Sequence, residues 1–275
     1  MFQMDLSTKN IQLRYEGFLQ TPKLWVGKTV QNLEQFDLKE VQSTVFQENI
    51  SKVLRLGKLV ERFVSHQIKL DPSISILAEN IQIHQNKITL GELDMLLLQK
   101  KQHIHLEIIY KFYLYDEHVG TSELDRWIGP NRRDSLVQKL NKLTNKQLPI
   151  ITHEETQNYL NRYGLMPENI QQKVCFKAQL FVHFSKISKI IPIINFDCIA
   201  GFYVNWKELV LFKAYKFYIP TKLDWLVVPK TDVTWLSYEH FIMEVNSLLH
   251  KKLAPLCWMK KNNGEMRKFF VVWWD

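Results

Sequence analysis
The sequence predicts an α/β chain of the α+β kind, a mixed sheet flanked by helices with a strand-rich C-terminal half. Three observations predict it. A helical stripe over 51–69 is followed by three apolar strand-like runs that end at Tyr115. A second amphipathic helix follows the Gly129–Pro130–Asn131 turn. Beyond about residue 170 short β-prone runs dominate, interrupted by one more helical stripe. The 275 residues are 46% hydrophobic and 23% charged, which suits a globular chain with a sizeable core. Gly and Pro number only 9 each, and no Gly/Ser-rich or Pro-rich linker divides the chain. Segments 1–150 and 151–275 are therefore read as one continuous unit: a core with a helical lead-in, and an extension packed on it.

Taken in order, residues 1–50 read as a short helical lead-in with loops that carry Phe18, Leu24 and Trp25. Over 51–69, Val53, Leu56, Leu59, Val60, Phe63 and Val64 recur at helical spacing, with Glu61 beside the stripe. Asp71–Pro72 ends that helix. Ile74–Ile83 reads as a loop and strand, and Ile88–Leu98 and Ile104–Tyr115 read as strands. Asn131 is a candidate N-cap for a helix with the stripe Leu136, Leu140 and Leu143. In the second half, strands are expected over Val174–Phe184, Ile199–Trp206, Val210–Ile219, Trp225–Val228 and Phe269–Trp274, with a helix over Tyr238–Lys251.

The strand from His103 to Leu114 is the most informative stretch. Side chains alternate along a strand, so His103, His105, Glu107, Ile109, Lys111 and Tyr113 share one face, and the other face is wholly apolar or aromatic. Gly91–Glu92–Leu93–Asp94 places two more acids on the preceding strand. Neighbouring strands that each offer an inward carboxylate, together with one lysine, are the parts of a metal-dependent phosphodiesterase. The same pattern also fits solvated faces or charges that guard a strand edge against aggregation. On the helix after Asn131, Arg132 and Arg133 at its start and Lys139, Lys142 and Lys146 along it form a basic stripe. Such a stripe suits a phosphate backbone or, equally, a solvated helix face.

The net charge of +8, mainly from Lys, is compatible with a polyanionic partner. Cys175, Cys198 and Cys257 show neither zinc-ligand spacing nor a disulfide framework, and are read as buried free thiols. No signal peptide is read at the N-terminus. The most apolar region, Ile187–Val204, is broken by Lys189, Pro192, Asn195 and Asp197 and is too polar to span a bilayer. The expectation is a soluble cytoplasmic protein with no membrane partner.

Together these motifs resemble the PD-(D/E)XK nuclease superfamily: an acid on a helix, Gly-Glu-x-Asp on one strand, Glu and Lys on the next, then a basic helix. More specifically, the chain is similar to an uncharacterised bacterial family, the domain of unknown function DUF1853. The likeness rests on Gly91–Leu96, His105–Leu114, Gly129–Leu140 and the pair Gln147–Leu148, with weaker matches continuing to Phe269–Trp274. The resemblance implies a restriction-endonuclease-like core within 1–150 and Mg²⁺- or Mn²⁺-dependent hydrolysis of phosphodiester bonds in nucleic acid, DNA sooner than RNA. It implies Asp94, Glu107 and the Ile108 carbonyl as metal ligands, with Glu61 and Lys111 completing the catalytic set. Glu92, His105 and Gln147 are supporting residues in this reading. One departure stands out. The usual Glu-x-Lys spacing would place lysine at 109, where this chain has Ile109, and Lys111 lies about 6.6 Å further along the strand. The alternative is a catalytically inactive nucleic-acid-binding or protein-interaction module whose acids are structural ion pairs.

Overall fold
The structure is a computed structural model that describes residues 6–27, 30–38, 45–48, 50, 54–186 and 194–274. The start of the expected helix at 51–53, with Val53, and the apolar run 187–193 lie outside the described residues. In chain order the helices are α1 (Leu6–Gln20), α2 (Leu56–Lys69), α3 (Leu136–Lys142), α4 (Glu154–Leu160) and α5 (Tyr238–His250). The strands are β1 (Ile74–Gln85), β2 (Ile88–Gln99), β3 (Gln102–Tyr115), β4 (Trp127–Ile128), β5 (Ile170–His183), β6 (Ile199–Asn205), β7 (Lys216–Tyr218), β8 (Leu256–Lys260) and β9 (Met266–Val272). The strands form mixed sheet, flanked by helices. Among the described residues, no helix is long and apolar enough to cross a membrane.

The chain divides into two compact units, each built from separate segments. One comprises Lys23–Tyr110 and Gln138–Lys177. The other comprises Met1–Pro22, Lys111–Val137 and Ala178–Asp275. Strands β3 and β5 each pass from one unit into the other along the chain.

The first unit is organised by an antiparallel meander. β1 pairs with β2 from Ile74↔Gln99 to Gln85↔Ile88. β2 pairs with β3 from Gln99↔Gln102 to Met95↔Leu106. Ile81, Ile83, Leu93 and Leu96 of the meander pack with Ile150, Ile151, Leu160, Leu165 and Ile170. α2 buries Leu59, Val60, Phe63 and Val64 of the expected stripe and Ile68 beyond it, while Leu56 is half-buried.

The second unit is organised by parallel pairing. β6 lies between β5 and β9 and is parallel to both. β8 runs antiparallel to β9, and β7 antiparallel to β8. One face of this sheet is covered by α5, whose Phe241 stacks on Phe217 at 4.2 Å between ring centroids. Val245, Leu249, Phe269 and Val271 extend the same cluster. All three cysteines are buried.

Two expected strands are mostly something else. In Val210–Ile219 only Lys216–Tyr218 is extended, because Trp206–Phe212 winds into 3₁₀ turns. Asn205 and Glu208 form a capping box: the Asn205 side chain accepts from Lys207 N at 2.9 Å, and Glu208 accepts from Asn205 N at 2.8 Å. Two satisfied backbone donors outweigh the β-prone side chains that follow. Leu223–Leu226 is likewise a 3₁₀ turn, held by Asp224, which accepts from the Thr221 hydroxyl and from Arg14. Strand β8 escaped the pattern because it is a five-residue run, visible only through its partners β7 and β9.

α1 lies against the Leu223–Leu226 turn, and Gly17 is the point of closest approach. A Cβ at position 17 would lie 2.0 Å from the Leu226 carbonyl oxygen, a backbone atom that cannot swing aside. Gly17→Ala is therefore expected to lower unfolding stability by about 1–3 kcal/mol, as overpacking does. Urea denaturation followed by circular dichroism checks it; an unchanged midpoint would mean that helix and turn part without cost.

Candidate metal centre
The β2–β3 ladder stops at Met95↔Leu106. One position further along, Asp94 supplies a side chain where a ladder bond would be. Its Oδ2 accepts from Ile108 N at 2.8 Å. The buried N–H is satisfied, and a carboxylate is held where the two strands cease to pair. Glu92, two residues back along β2, falls on the same side of the strand. On the opposite face of β2, Gly91 makes room for the apolar cluster: a Cβ there would lie 2.4 Å from Ile150 Cδ1.

Glu61 arrives from α2, one turn along from Lys58. Carboxylate oxygens of Glu61, Glu92 and Asp94 lie within 4.8 Å of one another. Lys58 binds part of this group, donating to Glu61 Oε2 at 2.8 Å, Glu92 Oε1 at 2.6 Å and Asn80 Oδ1 at 2.8 Å. Burial works against the Lys58 ammonium, but its bonds to Glu61 and Glu92 raise its pKa.

Glu107 is fully buried. Its Oε1 lies 3.2 Å from His105 Nε2, and its Oε2 accepts from Gln147 Nε2 at 2.5 Å. Gln147 in turn accepts from Lys139 Nζ at 2.6 Å. His105 is equally buried, and its Nδ1 has no hydrogen-bond partner.

These acids share one electrostatic environment. Burial raises the Asp94 carboxyl from 3.8 to about 8, and the Glu107 charge adds to the effect, against the Ile108 N–H, which lowers it. Burial also raises Glu61; Lys58 opposes this, while Glu92 and Glu107 reinforce it.

The structure therefore brings Glu61, Glu92 and Asp94 together, with Ile108 N on Asp94, and sets Glu107, His105, Gln147 and Lys139 in a connected network in the same unit. Lys142 and Lys146 of that unit are exposed. Lys111, Arg132 and Arg133 belong to the other unit. There Lys111 Nζ donates to Asp134 Oδ2 at 2.6 Å. Arg132 donates to Asp116 Oδ2 at 2.7 Å and lies over the Trp274 ring at 4.7 Å. Arg133 is exposed. Asn131 is not a helix cap: α3 begins at Leu136, and the Asn131 side chain accepts from Ala254 N instead. Sequence reading missed Lys58 and Asn80. The spacing of Lys58 to Glu61, three residues on a helix, is the signal that could have found the lysine. Asn80 has a left-handed φ of 53° in mid-strand, which periodicity does not reveal.

An acid whose carboxyl is raised on folding makes stability depend on pH in a fixed sense. Between the unfolded value near 4 and the folded value near 8, the folded state binds more protons at Asp94. Stability from this group therefore falls as pH rises through that window, by up to about 1.4 kcal/mol per pH unit. Asp94→Asn removes the dependence. Without added metal, the variant should be more stable than the wild type at pH 8, with a smaller advantage at pH 5. Chemical denaturation of both proteins at the two pH values checks this; an advantage that shrinks with rising pH would contradict it.

Residues 8–272 match the family model described as "Domain of unknown function (DUF1853)". No curated protein matches the chain, and no solved structure matches it. Because the match runs through nearly all of the sequence and through every element that carries the acid cluster, the protein belongs to the DUF1853 family.

Proposed function
We propose that this protein is a metal-dependent nuclease of the PD-(D/E)XK type, cytoplasmic, with a restriction-endonuclease-like core. The observation that carries the reading is the convergence of Glu61, Glu92 and Asp94 oxygens within 4.8 Å. Glu107 adds a fourth, fully buried carboxylate to the same electrostatic environment, and Lys58 bonds to only two of the four. Buried acids left short of positive charge are costly unless a cation joins them. The donor set fits Mg²⁺ or Mn²⁺, which prefer hard carboxylate oxygens and bind through one or two of them.

Asp94 and Glu61 would hold the cation, with Glu107, Glu92 and the Ile108 carbonyl as further donors. The chemistry the cation supplies when bound is Lewis acidity, which offsets charge growing on the phosphoryl oxygens and eases deprotonation of water. His105 and Gln147 fix the Glu107 carboxylate, so its orientation is set before substrate arrives. Lys111, on the same strand four positions after Glu107, would act on the attacking water. Lys142 and Lys146 would follow the phosphate backbone without reading bases. Arg132 and Lys139 already bond to Asp116 and Gln147, so they would contribute less than Arg133, Lys142 and Lys146.

One observation favours a second reading. Lys58 bridges Glu61 and Glu92, which is what acids retained as structural ion pairs in a non-catalytic binding module would show.

Two measurements separate these readings. With Mn²⁺ or Mg²⁺, the wild type should cleave nucleic acid, and Asp94→Ala and Glu107→Ala should each lose roughly a hundredfold or more in rate while remaining folded. Mn²⁺ should also raise the wild-type melting temperature, and Asp94→Ala should lose that shift. Absence of both effects leaves the ion-pair reading. Separately, Lys142→Ala/Lys146→Ala should weaken nucleic-acid binding and shallow the slope of log K against log salt by about 0.7 to 0.9 per lost contact. Fluorescence anisotropy over a salt series reads that slope; an unchanged slope would make this helix a solvated face.

A further inference from the structure
The second unit holds a cavity of about 360 Å³ unrelated to the acid cluster. It opens at the C-terminal ends of three neighbouring parallel strands. His183 ends β5, Asn205 ends β6 and Val272 ends β9, and all three line it. Crevices outside the carboxyl ends of parallel strands are where open α/β sheets bind ligands.

Along this cavity runs a hydrogen-bonded chain of serine, histidine and carboxylate. Ser185 Oγ lies 2.8 Å from His183 Nδ1, and His183 Nε2 lies 3.0 Å from Glu208 Oε2. A carboxylate only accepts, so Glu208 fixes the ring proton on Nε2. Nδ1 is then the acceptor for the Ser185 hydroxyl. Glu208 is itself pinned, because the same Oε2 accepts from Asn205 N in the capping box. The Tyr203 wall is fixed too: its hydroxyl donates to the Tyr115 carbonyl, and its ring packs 5.2 Å from His183 and 5.4 Å from Trp274. Ser185 is exposed, so a reactant can reach it. Nucleophile beside base, base beside an anchored orienting group, and a preformed cavity are the geometric requirements of covalent acyl transfer.

We propose that Ser185, His183 and Glu208 form a second reactive site, one that hydrolyses small carboxylic esters. Ser185 Oγ bonds to the ester carbonyl carbon as its proton passes to His183 Nδ1. The C–O bond to the alcohol then breaks, and the alcohol leaves with that proton. Water, deprotonated by His183, displaces the serine oxygen, releasing the carboxylic acid and restoring the hydroxyl. Glu208 holds the imidazole and stabilises its charge throughout, as a positioning residue. The lining also holds Lys186, paired with Glu117, and Lys207.

The test uses the full chain, a fluorophosphonate probe followed by peptide mass mapping, and p-nitrophenyl acetate turnover. One equivalent of adduct on Ser185 is expected, none in Ser185→Ala, and labelling slowed about a hundredfold or more in His183→Ala, in keeping with loss of a general base. Glu208→Gln should slow labelling as well, with melting temperature recorded because Glu208 also caps a turn. No adduct, an adduct elsewhere, a His183→Ala rate equal to wild type, or labelling without ester turnover would each overturn the proposal.

Discussion

A carboxylate removed from water needs a donor or a cation, and that requirement shapes the centre of the helix–meander unit. Where β2 and β3 stop pairing, the Ile108 N–H would be stranded, and Asp94 takes it. One residue before Ile108, Glu107 is held by His105 and Gln147. On the remaining side Lys58 ties α2 to β1 and β2 through Glu61, Asn80 and Glu92. One chain of polar contacts thus fixes a helix, three strands and the turn after α3. Remove any acid and a buried donor loses its partner; keep them all and negative charge accumulates in a dry place.

That accumulated charge has a cost in stability at this cluster. Asp94 is held charged only at a cost, shown by its carboxyl standing at about 8. A chain selected for stability alone would place an amide or an apolar residue at this position. Retaining four acids around so little compensating charge suits a site completed by a cation. The Lys58 bridge is the competing solution within the same cluster, because an ammonium does part of what a divalent ion would do.

The parallel-strand unit is governed by a different rule. Its strands end together, and their loops must satisfy backbone groups while leaving a crevice. Glu208 serves both purposes, since the oxygen that caps the Asn205 N–H also holds the His183 imidazole. Deeper in the same sheet, Lys268 is buried and donates to Gln179 and to the Trp225 carbonyl, tying the sheet to the turn beside α1. Burial lowers its pKa to about 7. Neither arrangement leaves a trace in hydropathy.

The sequence by itself determined the elements with long periodic patterns: α2, α5, the β1–β3 meander, β5, β6 and the final strand. It also singled out Glu61, Glu92, Asp94 and Glu107, acids standing among apolar neighbours, while Gln147 came from the resemblance to the family. Alternation and helical periodicity are local properties, so a linear reading captures them. Tertiary structure alone decided the rest. Capping at Asn205 and anchoring of Asp224 turned two β-prone runs into 3₁₀ turns, and pairing on both sides made β8 a strand. The face of β3 that carries His105 and Glu107 proved buried, like the apolar face with Ile104 and Leu106. Lys58 at the acids, Lys111 on Asp134 and the Ser185–His183–Glu208 chain all depend on which residues distant in sequence meet. Those meetings are set by sheet order and register, which no local pattern encodes.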